Sequence, residues 1–241
     1  MRMVELNTIE EYLKLIKQNK EENIREGNFK DFLFRGQTVD SPLIPKICRM
    51  KARGELLKVE ALILHEFKRS NPLLIEMSRS MDDWDYLTLG QNYGLPTRLL
   101  DWSVNALTAL WFATERMPDN GHMNPYSVVW ILMARPEDFD LNMETLHPFD
   151  VPETKIVQPR IIKQRINNQS GVFSIHSSAE ILEKRNLDEA ETYIEKLIKV
   201  RIPAESFNDI RTDLNTLGVN AFSIFPELEG LCSYLQWRYF E

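Results

Sequence analysis

A chain of 241 residues with 43% apolar and 27% charged side chains is long enough to bury a substantial core as one large domain, and its composition is that of a globular protein. A formal net charge of −7 argues against broad, non-specific nucleic-acid binding, which needs a surplus of cations. The two cysteines, Cys48 and Cys232, make neither a disulfide framework nor a thiolate zinc site. No apolar run is long enough to span a bilayer and no secretory signal opens the chain, so a reducing cytoplasm is the expected address.

The first expected element is a helix after Thr8, which is placed to cap it, with Ile9, Leu13 and Ile16 on one face. Residues 1–28 then form a helical lead-in to a single domain that spans 1–241. Asp31-Phe32-Leu33-Phe34-Arg35-Gly36 reads as a short strand ending at a glycine. Leu56, Val59, Ile63 and Phe67 have helical spacing in a segment from Glu55 to about Ser78, with Pro72 marking a break. Ser103–Arg116 reads as a second, buried helix capped by Ser103, with Val104, Leu107, Leu110 and Trp111 on one side.

Ser127–Met133 is a continuous β-branched and aromatic run suited to a sheet interior. Gly171–His176 and Lys196–Ile202 alternate like half-buried strands, and His176 is expected to face solvent or cap. Pro203 opens a helix striped by Phe207, Ile210, Leu214 and Leu217 and closed by Gly218. A last helix begins near Pro226. Strands and helices mix without regular βαβ alternation, so the expected class is α+β, a mixed sheet with packed helices.

The familiar phosphate loops, dinucleotide fingerprints, zinc-protease motifs and serine elbows are missing from the sequence. His65, His122, His147 and His176 stand apart, so no metal site is expected. Positive charge collects in two stretches: Lys46–Ser80 carries eight Lys/Arg against four acids, and Lys155–His176 carries four against none. Solvated helix faces or the walls of an anion pocket both explain them.

Two stretches concentrate polar groups where the chain should be buried. Arg35 follows an apolar strand, and a buried guanidinium without an anion is costly. Gly36 beside it lets a ligand or another backbone come close. The second stretch, Gln91–Ser103, crowds Gln91, Tyr93, Thr97, Arg98, Asp101 and Trp102 before the buried helix, whose N-terminal N–H groups are a natural place for an anion. The competing account pairs Arg98 with Asp101, buries Trp102 and leaves Ser103 as a cap.

Phe34-Arg35-Gly36, the run Gln91-Asn92-Tyr93-Gly94-Leu95-Pro96-Thr97-Arg98-Leu99-Leu100-Asp101-Trp102-Ser103, Asn105 and Ala109-Leu110-Trp111-Phe112-Ala113 together resemble the FRG domain family. That family takes its name from the Phe-Arg-Gly motif. Gln169–His176 and Phe225–Leu231 resemble it too, so the likeness runs from about Phe29 almost to the end. Asn92 stands where the family usually has His, which removes any proton-transfer role for that side chain. Ala106 and Trp111 replace the usual Pro and Tyr.

The Phe-Arg-Gly opening is also similar to the first core strand of ADP-ribosyltransferases, whose arginine holds the phosphates of the cofactor. That resemblance implies a related fold and an enzyme that uses NAD as substrate. Arg35 would grip the diphosphate, and Thr97, Arg98, Ser103 and Gln37 would help bind. Tyr93 or Trp102 would stack on a ring. Glu229 would be the catalytic carboxylate, with Glu227 as substitute and Asp101 as a further candidate. The acceptor would be a nucleic-acid base or a protein side chain. A non-catalytic nucleotide- or phosphate-binding domain needs the same arginines without the acid. A pure folding signature, with Arg35 satisfied by Asp101, needs no ligand.

Overall fold

The structure, a computed structural model, describes residues 1–25, 31–70, 80–116, 126–139, 145–160 and 168–240. Its spine is a seven-stranded mixed sheet. The strands are β1 (Arg2–Glu5), β2 (Asp31–Gln37), β3 (Leu99–Ser103), β4 (Tyr126–Ala134), β5 (Lys155–Val157), β6 (Gly171–Ile175) and β7 (Leu197–Pro203). In space they run β1-β7-β4-β2-β3-β6-β5. β1 lies parallel to β7, and the other ladders are antiparallel. The helices are α1 (Ile9–Arg25), α2 (Lys46–Arg49), α3 (Leu56–Ser70), α4 (Asp83–Asn92), α5 (Ala106–Thr114), α6 (Ser178–Glu183), α7 (Glu191–Ile194), α8 (Phe207–Thr216), α9 (Ala221–Ile224) and α10 (Leu228–Phe240). This is an α+β protein.

β4 lies inside the sheet, between β7 and β2, and is apolar on both faces. Val129 and Ile131 enter one core, and Val128, Trp130 and Leu132 enter another. Each such buried side chain contributes on the order of 1.5–3 kcal/mol. On the first face, α1, α5 and α8 cover Phe32, Phe34, Val129, Ile198 and Val200. Across β3, β6 and β5, a separate cluster under α3 and α4 holds Leu64, Leu87, Leu99, Val157, Phe173 and Ile175. Phe34 is registered opposite Ser103, and alternation along β3 puts Leu99 on the same face as Ser103. The two helical layers therefore share one face of the sheet, with β2 and β3 meeting between them.

Several elements differ from the sequence reading. Thr8 does cap α1, its hydroxyl accepting from the Glu11 N–H at 3.2 Å, but the buried stripe is Ile9, Tyr12, Leu15 and Ile16, with Leu13 exposed. α1 and β1 are integral to the fold: the helix enters the main core and the strand pairs with β7. The helix expected from Ser103 begins at Ala106. Asn105 caps it by accepting from the N–H groups of Leu107 and Thr108 at 2.9 and 3.3 Å, so that helix start is already occupied by its own side chain. Ser103 instead ends β3. Pro203 ends β7, and α8 follows one 3-10 turn later. The proposed break at Pro72 lies outside the described residues.

Candidate functional site

β2 and β3 share a single registered pair, Phe34 with Ser103, although β2 runs on alongside β4 as far as Gln37. Past that pair the Asp101 carbonyl lacks a strand partner in β2, and Arg35 supplies the donor. Its Nη1 donates to the Asp101 carbonyl at 2.8 Å and to Asp101 Oδ2 at 3.4 Å. The guanidinium thus bridges the gap between the two strands. Its side chain is 15% exposed. Burial draws its pKa below the ordinary value and nearby Arg49 acts in the same sense, while Asp101 opposes both. Nε is buried and has no hydrogen-bond partner among the described residues.

Gly36, next in the strand, serves backbone against backbone. A Cβ there would stand 1.9 Å from the Ala109 carbonyl oxygen and 2.6 Å from the Ala113 nitrogen. The missing side chain lets α5 lie directly on β2. The three residues of the motif therefore have three jobs: Phe34 is core, Arg35 spans the strand gap, and Gly36 seats the helix.

A cavity of about 590 Å³ opens on the helical face at this point, within the usual range for a small-molecule site. Arg35, Gly36, Asp101, Ser103, Gly171 and Phe173 line it from the sheet, and Ala109 and Phe112 from α5. The end of α4 adds Gln91, Asn92, Tyr93 and Gly94; Gln169 and Glu229 complete the wall. Gln91 fixes the acid in place: its Nε2 donates to Asp101 Oδ2 at 2.9 Å, and its Oε1 accepts from the Thr97 hydroxyl. Tyr93 closes α4 and is 58% exposed, presenting an aromatic ring at the mouth. Gly94 turns with φ +83°, and its carbonyl accepts from Lys46 Nζ at 2.7 Å. Lys46 and Arg49 thus bring positive charge to this end, whereas much of the remaining basic stretch is paired locally, as Lys58 with Glu55 and Arg69 with Glu66.

Of the residues singled out from sequence, Arg35, Gly36, Gln91, Tyr93, Asp101, Trp102, Ser103 and Glu229 line this cavity. Ser103 donates to the Gln169 carbonyl at 2.7 Å and accepts from the Asn105 N–H at 3.0 Å, holding the corner between β3 and α5. Trp102 borders the cavity but its indole is 2% exposed within the opposite-face core, with Nε1 donating to Ser174 Oγ at 3.1 Å. It is no stacking platform. Glu229 sits exposed in the first turn of α10, and Glu227 lines a neighbouring cavity of about 370 Å³ to which Glu229 also contributes.

Three candidates lie elsewhere. Gln37 accepts from Trp130 Nε1 at 2.8 Å. Thr97 is buried and braces Gln91. Arg98 is 1% exposed and locked in a buried ion pair with Glu60: Nε to Oε1 is 2.9 Å and Nη2 to Oε2 is 2.5 Å. Its Nη1 reaches the carbonyls of Phe149 and His176 and the Ser178 hydroxyl at 3.3–3.4 Å. The Phe149 ring lies 4.6 Å from its guanidinium carbon. His176, expected outside, is 2% exposed. Lys46, Arg49, Gly171 and Phe173 were not singled out from sequence; the last two carry no local signal, because their place depends on the pairing of β6 with β3.

Among the described residues no group of His, Cys, Asp and Glu is arranged to hold a metal ion, and no described helix is long and apolar enough to cross a membrane. Residues 30–121 match the family model of the FRG domain, which supports that family for the stretch from β2 through α5. The match covers Arg35, the end of α4 and Asp101, and stops short of Gln169 and Glu229. None of the curated proteins and none of the solved structures compared with the chain matches it.

Proposed function

We propose that the Arg35 cavity binds a nucleotide, and that the ligand is NAD, used as the donor in an ADP-ribosyl transfer. One observation carries the reading. A largely buried guanidinium, anchored through Nη1 and with Nε unpaired among the described residues, borders the same cavity as the Glu229 carboxylate. Guanidinium groups suit phosphate oxygens because their donors lie in a planar fork, and Lys46 and Arg49 add positive charge at that end. In the reaction, the bond between the ribose anomeric carbon and the nicotinamide nitrogen breaks, and its electron pair leaves with nicotinamide. The acceptor nucleophile, on a nucleic-acid base or a protein side chain, bonds to that carbon and gives up a proton. Glu229 would stabilise the positive charge that develops at the anomeric carbon. Asp101 is held by Arg35 and Gln91 and acts here as a positioning group.

A binding domain without catalysis is the second reading, favoured by the exposure of Glu229, whose carboxylate has no hydrogen-bonding partner among the described residues to orient it. Calorimetric titration with NAD, together with nicotinamide release, separates the two. Wild type should bind, and Arg35→Ala should weaken binding at least tenfold. Glu229→Gln should keep affinity and lose release if the protein is an enzyme; release absent from the wild type as well would favour the binding domain. No heat from either wild type or Arg35→Ala would remove the nucleotide reading.

A further inference from the structure

The cavity has walls of different chemistry. Arg35 lines it beside Asp101, with Arg49 near enough to act on its charge, and Lys46 holds the carbonyl of Gly94, another wall residue. The segment entering β6 and the start of α10 supply further wall, with the carboxamide of Gln169 and the carboxylate of Glu229 as their polar side chains. Gln169 is fixed on both sides. Asn168 Nδ2 donates to the Ser223 carbonyl of α9 at 3.0 Å. The Gln169 carbonyl accepts from Ser103. Ser170 adopts a left-handed φ of 47°, rare outside glycine, and its carbonyl accepts from the Val104 N–H at 3.2 Å. Yet Gln169 Nε2 is buried and has no partner among the described residues. A buried, unmade hydrogen bond is an expense that folded proteins rarely leave standing. Turning this amide into the cavity would break no internal bond.

We infer that Gln169 is a specificity-determining residue that reads a neutral, carbonyl-bearing end of the ligand, such as a carboxamide, in the cavity it shares with Glu229. An anionic group is disfavoured there by the Glu229 carboxylate. A neutral carbonyl can accept from Gln169 Nε2, and an amide can also donate back to its Oε1. The charged phosphates then fall toward Arg35. The inference rests on the nucleotide reading above and adds the orientation of the ligand.

The test compares three probes, NAD, its nicotinic-acid analogue and ADP-ribose, on wild type, Gln169→Leu and Gln169→Asn. Wild type should prefer NAD over the acid analogue by roughly tenfold, the scale of one good hydrogen bond and one avoided repulsion. Gln169→Leu should lose about fivefold to tenfold on NAD and leave ADP-ribose unchanged, since ADP-ribose lacks the carboxamide. Gln169→Asn, with a shorter amide, should fall between. Because the side chain has no described internal hydrogen bond, both variants should melt within a few degrees of wild type. Equal losses on NAD and ADP-ribose, or no loss on either, would overturn the inference while leaving NAD binding intact. A wild type that binds none of the probes would overturn it together with the nucleotide reading.

Discussion

The Arg98 region and the Arg35 region are built from the same materials and end in opposite states. Each places an arginine beside β3 and an acid within reach. Around Arg98 the acid is Glu60, both partners are nearly inaccessible, and two carbonyls, a hydroxyl and an aromatic face take up the remaining guanidinium surface. Around Arg35 the acid is Asp101, about half exposed, the contact is through one nitrogen, and a cavity of about 590 Å³ stands alongside. A closed polar cluster fixes structure. An open one has binding capacity left over. The contrast, more than the presence of arginine, is what the proposed site rests on.

The largest effect should come from opening the closed cluster. Arg98→Met leaves Glu60 buried with its counter-charge gone, which typically costs about 3–5 kcal/mol. Urea unfolding should show that loss. Adding Glu60→Leu should recover part of it, because the stranded charge disappears, while the Phe149 and His176 carbonyls stay without their donor. Recovery in the double variant would identify charge burial as the cost. A single variant with near-native stability would break the comparison from this side.

Next in size is a pH effect in the same cluster. Burial, the largest effect, draws the His176 pKa down from an ordinary 6.5 to about 4; Glu180 opposes it, and Arg98 adds a smaller push downward. Above 6.5 the ring is neutral folded or unfolded. Between 6.5 and 4 the unfolded chain takes up a proton that the native ring refuses, so stability falls as pH falls and levels off below 4. The whole excursion is worth roughly 3 kcal/mol. Glu180, itself held below its usual range by Ser177 and Thr154 against the opposing effect of burial, also loses stability toward acid. The informative quantity is therefore the difference between wild type and His176→Gln. A wild type as acid-tolerant as the variant would mean that His176 is hydrated or charged in the native state.

Which of these features was visible in sequence depends on how local its cause is. β2, β4, β6 and β7 were legible because their apolar runs report burial directly. β3 was not, because Ser103 was read as the cap that starts a helix. Its signature is the three residues Leu100, Asp101 and Trp102, in which buried, exposed and buried alternate. α4 was missed although Asp82 and Asp85 form a capping box, since its apolar stripe is weak. The unusual setting of Arg35 could be anticipated from the apolar strand before it. The fate of Arg98 could not, because Glu60 lies 38 residues upstream and only the packing of α3 brings it in. His176 looked like an exposed strand end because nothing nearby in sequence announces its burial beside Arg98.

The smallest expected change in stability is at Arg35, and the comparison rests most heavily on it. Arg35→Ala removes one hydrogen bond to a main-chain carbonyl and a 3.4 Å contact to a half-exposed carboxylate. It also removes a charge whose burial draws its pKa below the ordinary value. The carboxylate keeps Gln91, and the vacated space adjoins a cavity that water can enter. The net cost should be about 1 kcal/mol or less, several-fold below that of Arg98→Met, while the proposed NAD binding should weaken at least tenfold. Arg35→Lys should restore the charge without the fork, and so leave binding weak at native stability. If Arg35→Ala instead unfolds the protein as readily as Arg98→Met, the two regions are alike, and the guanidinium in the strand gap is a brace rather than a receptor.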